Sequence, residues 1–203
     1  QPATPHNGDT VTLPAFRNSV RALDQVVEVD YYIPGCPPTP ALTKAALDAL
    51  LAGRLPPRGT VLAPDVALCE QCPRLESKPK DLSLDAFQRP HRTALDPEKC
   101  LLAQGIPCMG PATRIGCEAL CIKGNMACTG CFGPTSRVLD HGAKILSCFA
   151  SALAPKEPQG IDQALAGLPD PVGTFYRYSL ARSLLRRKRG PSQTQHFIRG
   201  NPP

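Results

Sequence analysis

The sequence has no tryptophan, and aromatic residues make up only 5% of its 203 positions, so a core built from it must be mostly aliphatic. No apolar run approaches the length needed to cross a bilayer. The opening residues, QPATPHNGDT, contain no apolar stretch of the kind found in a secretory signal. The expectation is a cytoplasmic chain with reduced cysteines and no transmembrane segment. There is no glycine-rich phosphate loop, no G-x-S-x-G and no H-E-x-x-H. The four histidines, His6, His91, His141 and His196, lack the mutual spacing of a metal site, and His141 reads as a packing or solvent-facing residue. Net charge is +6, with Arg182, Arg186, Arg187, Lys188 and Arg189 crowded near the end. No helix-turn-helix, zinc-finger or RRM signature accompanies that charge, so no nucleic-acid partner is expected. The basic run reads as a solvated tail or a patch facing an acidic partner.

Several short elements are legible. Residues 1–14 read as irregular, and residues 15–24 as a short helix. VVEVDYYI, residues 26–33, is β-branched and aromatic and reads as a buried strand. A Pro/Gly loop, PGCPP, follows it. Thr39 and Pro40 then open a helix with Leu42, Ala46, Leu47, Leu50 and Leu51 on one face, and Gly53 fits its C-terminal cap. Helix, strand, loop and helix make a piece of α/β architecture. Cys36 sits in the loop at the carboxyl end of the strand, the edge where open α/β sheets bind ligands.

From about residue 60 to 134 the chain is rich in Pro, Gly and Cys and shows no long periodic segment. Seventy residues without regular structure need an ordering force other than burial, and metal ligation supplies one. A second long helix is predicted over residues 136–151, with Val138, Gly142, Ile145 and Phe149 on one face. Shorter helices are predicted near 161–166 and 179–188. The expected domains are residues 1–60, 61–151 and a tail, 152–203, with the basic segment.

Ten cysteines, about 5% of the chain, are too few for a disulfide scaffold, which runs at roughly 8–10% or more. In a reducing compartment, clustered cysteines more often bind metal or do redox chemistry. Eight of the ten fall into two sets. Cys69, Cys72, Cys100 and Cys108 form C-x2-C, a gap and C-x7-C; Cys117, Cys121, Cys128 and Cys131 form C-x3-C-x6-C-x2-C. Four thiolates suit zinc or an iron–sulfur cluster. Structural zinc sites usually show two tight pairs, and each set here has only one, Cys69/Cys72 or Cys128/Cys131. The spacing favours clusters, with zinc and disulfides as alternatives. Outside the sets, Cys36 is a buried structural thiol or one ligand of a further cluster. Cys148, among apolar helix neighbours, reads as an inert buried thiol.

VDYYIPGCPPTP, the CEQCPR pair and CLLAQGIPCMGPATRIGCEALCIKGNMACTGCFGPTSRVLDHGAKILS together resemble the small, electron-transferring subunit of [NiFe] hydrogenases. The likeness is to the cytoplasmic type, which includes the methyl-viologen-reducing (F420-non-reducing) enzymes and sulfhydrogenase delta subunits. It covers roughly residues 20–150 and touches GTFYRYSL. It implies the C-terminal part of a flavodoxin-like domain followed by a loop-rich iron–sulfur domain with few helices. It also implies [4Fe-4S] clusters in a row: a distal one on Cys69, Cys72, Cys100 and Cys108, and a medial one on Cys117, Cys121, Cys128 and Cys131. Cys36 matches the last ligand of a third, proximal cluster. The family's other three proximal ligands, which lie earlier in its domain, have no counterpart here, so the N-terminal part of that domain is expected to be missing. The implied partners are a large subunit carrying the nickel–iron site and an iron–sulfur or flavin electron-acceptor subunit. No residue of this chain is expected to be catalytic.

Overall fold

The computed structural model of the chain describes residues 3–14, 19–168 and 170–185. Near its start, Asn7 and Gly8 take positive φ, 50° and 87°. An Asn-Gly pair supplies that geometry to a tight hairpin. Here it joins β1 (Ala3–His6) to β2 (Asp9–Thr12), paired antiparallel from Ala3 with Thr12 to His6 with Asp9. The segment expected to be irregular is thus an exposed hairpin, and the Asn-Gly dipeptide is its signal. The helix expected over residues 15–24 falls partly outside the described residues. What is described of it is a single 3-10 turn, Leu23–Gln25.

β3 (Tyr31–Tyr32), α1 (Pro40–Leu51) and β4 (Thr60–Val61) form a small β-α-β unit, with β3 and β4 parallel and Tyr31 opposite Thr60. The buried strand predicted over residues 26–33 is shorter and wetter than expected. Its ladder ends where its partner ends, and Val26 and Val27 stand 66% and 49% exposed. Helix α1 starts and stops where the sequence predicts. Thr39 Oγ1 accepts from the Leu42 amide, Pro40 opens the first turn, and Gly53 takes a positive φ beyond the end. Its predicted apolar face is not buried as a whole. Ala46 is buried, while Leu47, Leu50 and Leu51 are exposed.

Residues 62–140 run as loops and single turns. The one α-helix here is short, α2 (Leu120–Lys123). Helix α3 (His141–Ala152) begins five residues later than predicted. Asp140 decides the start, because its Oδ1 accepts from the Ala143 amide at 2.9 Å. The predicted face is otherwise correct: Gly142, Ile145 and Phe149 are buried. Then follow α4 (Pro158–Leu165), close to the predicted short helix, and α5 (Pro171–Phe175). The last predicted helix is, in its described part, only a 3-10 turn at Leu180–Arg182. Residues 186–203, with four of the five clustered basic residues, lie outside the described part.

One apolar cluster runs from Leu68 to Tyr176. The segment expected to be a tail therefore contributes to it through Leu153, Ala164, Leu168, Phe175 and Tyr176. Aliphatic residues dominate by number, but a file of phenylalanines sits inside. Phe87 and Phe149 have ring centroids 5.1 Å apart, and Phe149 meets Phe175 edge-on at 5.4 Å. Backbone bonds tie the loops to the helices: Leu84 donates to the Ala152 carbonyl at 2.8 Å and Phe87 to that of Ala164 at 2.9 Å. Arg182 pairs with Asp24 and stacks over the Tyr32 ring at 5.4 Å, joining the end of the described chain to the β-α-β unit. Among the described residues, no helix is long and apolar enough to cross a membrane.

Candidate metal centre

The first cysteine set is assembled from several loops. Residues 66–68 pair with 113–115: Leu68 donates to the Thr113 carbonyl at 2.7 Å and Ile115 to that of Val66 at 3.0 Å. This pairing carries the turn bearing Cys69 and Cys72 against Cys108–Gly110. Gly110 is the close approach. A Cβ there would stand 3.2 Å from Cys69 Sγ and 3.6 Å from Cys108 Sγ. Cys100 arrives through its amide, which donates to Ser77 Oγ at 2.8 Å, while that hydroxyl donates to the Arg74 carbonyl at 2.8 Å.

Arg74 is the strap of this region. It is buried, and its guanidinium donates to the carbonyls of Ile122 (2.9 Å) and Lys99 (3.2 Å) and to Asn125 Oδ1 (2.9 Å). One planar fork thus joins the loop after Cys72, the loop before Cys100 and the short helix that holds Cys121. The four cysteines of the first set line a single small cavity, partly open to solvent. Leu68, Leu101, Leu102 and Ile122 form its apolar wall, and Arg74 and Lys78 bring positive charge to it.

The second set lies beside the first. Met109 donates to the Cys128 carbonyl at 2.9 Å and Arg114 to that of Gly133 at 2.8 Å, so the extended stretch after Cys108 holds the loop carrying Cys128 and Cys131. Between Cys117 and Cys121 the chain turns through two non-glycine residues in the left-handed region, Glu118 and Ala119. Strain of this kind persists only where the surroundings enforce it. Arg114, buried, seals the back of the set. It pairs with Asp65 at 2.7 Å and donates to the carbonyls of Ala63, Pro64 and Pro134. Burial alone would raise the Asp65 carboxyl, but Ser136 and Arg114 outweigh it and hold that group below its usual range. Cys36 is exposed, so the buried-thiol alternative for it fails. It lies close enough to Cys131 for its amide to favour the Cys131 thiolate. Thr39 holds that loop in place by donating to the Gly116 carbonyl at 3.3 Å. Cys148 is half-buried against the core.

Four of the thiols, Cys69, Cys108, Cys128 and Cys131, hold their protons tightly. Burial, then the neighbouring Cys108, pushes Cys69 up to about 12, with Lys78 acting in the opposite sense. Burial also raises Cys108, Cys128 and Cys131. Opposing it are the amides of Gly110 and Cys128 at Cys108, and the Gly130 amide and Thr113 hydroxyl at Cys128. The residues influencing Cys131 include Cys117, Cys121 and Cys36, and those influencing Cys128 include Cys108 and Cys117. The sets therefore face one another across Cys108 and Cys128. Among the described residues, no three His, Cys, Asp or Glu side chains converge on a point that one metal ion could fill. The first set surrounds a space instead.

Sequence reasoning gives no functional role to four residues of this region: Arg74, Lys78, Thr113 and His141. Arg74 had a signal, since it directly follows Cys72-Pro73. His141 is buried, with Nε2 3.2 Å from Thr113 Oγ1, and its ring packs against Gly130. Burial, against the opposing pull of Asp140, lowers it to about 4, so it is neutral at pH 7.

No family model matches the chain. Among curated proteins, it is 36% identical over 191 residues to the F420-non-reducing hydrogenase iron-sulfur subunit of Archaeoglobus profundus, covering 93% of this chain and 59% of that protein. It is 38% identical over 179 residues to an F420-non-reducing hydrogenase subunit of Methanothermobacter thermautotrophicus, covering 87% of this chain and 56% of that protein. The chain thus spans a little over half the length of these two relatives. It is also 43% identical over 120 residues to an F420-non-reducing hydrogenase subunit of Methanothermus fervidus, covering 57% of this chain and 93% of that protein. With that relative covered almost end to end, the chain belongs to the family of F420-non-reducing hydrogenase subunits that contains these three proteins.

Proposed function

We propose that this chain is the electron-transfer small subunit of a cytoplasmic [NiFe] hydrogenase. It relays electrons between the nickel–iron site of a large subunit and an iron–sulfur or flavin acceptor subunit. Cys69, Cys72, Cys100 and Cys108 hold a distal [4Fe-4S] cluster; Cys117, Cys121, Cys128 and Cys131 hold a medial one. Cys36 offers one ligand to a proximal cluster whose other ligands come from outside this sequence. Residues 1–60 form the end of a flavodoxin-like domain, and residues 61–151 the cluster domain. The observation that carries this reading is the single cavity lined by all four cysteines of the first set, with the second set abutting it. Thiols spread around a space suit a polynuclear cluster better than a single tetrahedral zinc ion.

A bound cluster supplies one-electron uptake and release. The rest is the work of this chain. Its cysteines ligate as thiolates, so loading displaces protons that burial otherwise holds in place. Leu68, Leu101, Leu102 and Ile122 keep water from one side of the first site. The amides of Gly110, Cys128 and Gly130 point partial positive charge at the sulfurs, which stabilises negative charge there. The Met109–Cys128 backbone pairing keeps the two stations adjacent. Iron, acid-labile sulfide and zinc analysis of the anaerobically purified protein tests the reading. About eight iron and eight sulfide per chain are expected from two four-iron clusters. Stoichiometric zinc with neither iron nor sulfide would overturn it.

A further inference from the structure

Lys78 lines the cavity of the first set together with its four cysteines. It is half-buried in the turn that follows Arg74, where its amide donates to the Leu75 carbonyl at 3.0 Å. The two cations of this cavity differ in their commitments. The Arg74 guanidinium is spent on carbonyl and amide oxygens. Lys78 has no carboxylate within ion-pair distance among the described residues. Among the described residues, the first cavity is thus lined by a lysine without a carboxylate partner, together with an apolar wall.

We propose that Lys78 sets the reduction potential of the first-set station by stabilising the electron that arrives there. This inference rests on the cluster reading given above. Four thiolates around an iron–sulfur core carry net negative charge, and one-electron reduction adds one unit more without breaking a bond or moving a proton. A fixed cation nearby favours the more negative state, the more so where apolar walls keep the local dielectric low. Lys78 therefore makes this station the better resting place for an electron, and biases flow towards it. It acts through charge alone, so it is a positioning residue of the electrostatic kind and not a ligand.

The test is a dithionite titration of the anaerobically purified whole complex, with redox mediators, read by electron paramagnetic resonance. Wild type is compared with Lys78→Met, Lys78→Glu and Lys78→Arg. All four should carry the same iron and sulfide per chain. The midpoint of one cluster signal should move to more negative potential in Lys78→Met and further in Lys78→Glu, and Lys78→Arg should restore the wild-type value. A midpoint identical in all four proteins overturns the role of Lys78 and leaves the cluster reading standing. A wild-type protein without iron–sulfur signals overturns both.

Discussion

Replacing Arg74 by methionine should destabilise the cysteine region, and the size of the effect can be worked from its bonds. The side chain is buried, and two of its bonds are short, to the Ile122 carbonyl and to Asn125 Oδ1, both 2.9 Å. A third, to the Lys99 carbonyl, is 3.2 Å. A hydrogen bond from a charged donor contributes about 1.5–3 kcal/mol. The two short bonds alone amount to about 3–6 kcal/mol. Methionine keeps the stem volume but leaves the buried Ile122 carbonyl without this donor, so little of the loss is recovered. Against a typical total stability of about 5–15 kcal/mol, this is about a fifth or more. Lysine keeps the charge but not the fork, and should cost about half as much. Urea denaturation of the anaerobic holo-protein, followed by circular dichroism, measures both variants. Iron per chain should fall in step, since the strap joins the loops carrying both sets. A methionine variant within about 1 kcal/mol of wild type, with full iron, would refute the reasoning.

His141 makes stability fall in acid. Its pKa is about 4 in the folded chain against an ordinary 6.5, so below 6.5 the unfolded state binds more protons and stability is lost as pH falls towards 4. At about 1.36 kcal/mol per pH unit the full effect is about 3 kcal/mol; His141→Gln should flatten that limb in denaturation curves at pH 7 and pH 5, and an unchanged slope would contradict the assignment. Gly142→Ala would drive a methyl into the Tyr176 ring, and should lower stability by about 1–3 kcal/mol in the same assay. Thr39→Ala removes both the cap of α1 and the bond to Gly116, and a loss of about 1–2 kcal/mol is expected in urea. On the proposed function, Cys128→Ser should abolish transfer of electrons from dihydrogen to the acceptor while the nickel signal of the complex survives; normal dye reduction with an unchanged cluster spectrum would count against a ligand role.

Elements with local causes are legible in the chain alone. Thr39-Pro40 and Gly53 bound α1 because capping is settled within one turn of chain. Spacing puts the eight cysteines into two sets. The Asn7-Gly8 hairpin is equally local, its signal present in the dipeptide. What depends on partners far along the chain emerges only on folding. Residues 26–33 look like a buried strand, but a strand is only as long as its ladder, and β4 offers two residues. The leucines of α1 show helical spacing, yet spacing does not say whether anything covers them, and three stay exposed. Asp140 begins α3 later than the periodicity suggests because its side chain finds the Ala143 amide. The cavity of the first set needs separate loops to meet, and the strap that holds them is a single arginine reaching residues about 25 and 50 positions away. Cysteine spacing is written in the chain; which cations face the thiols is set only when the loops close.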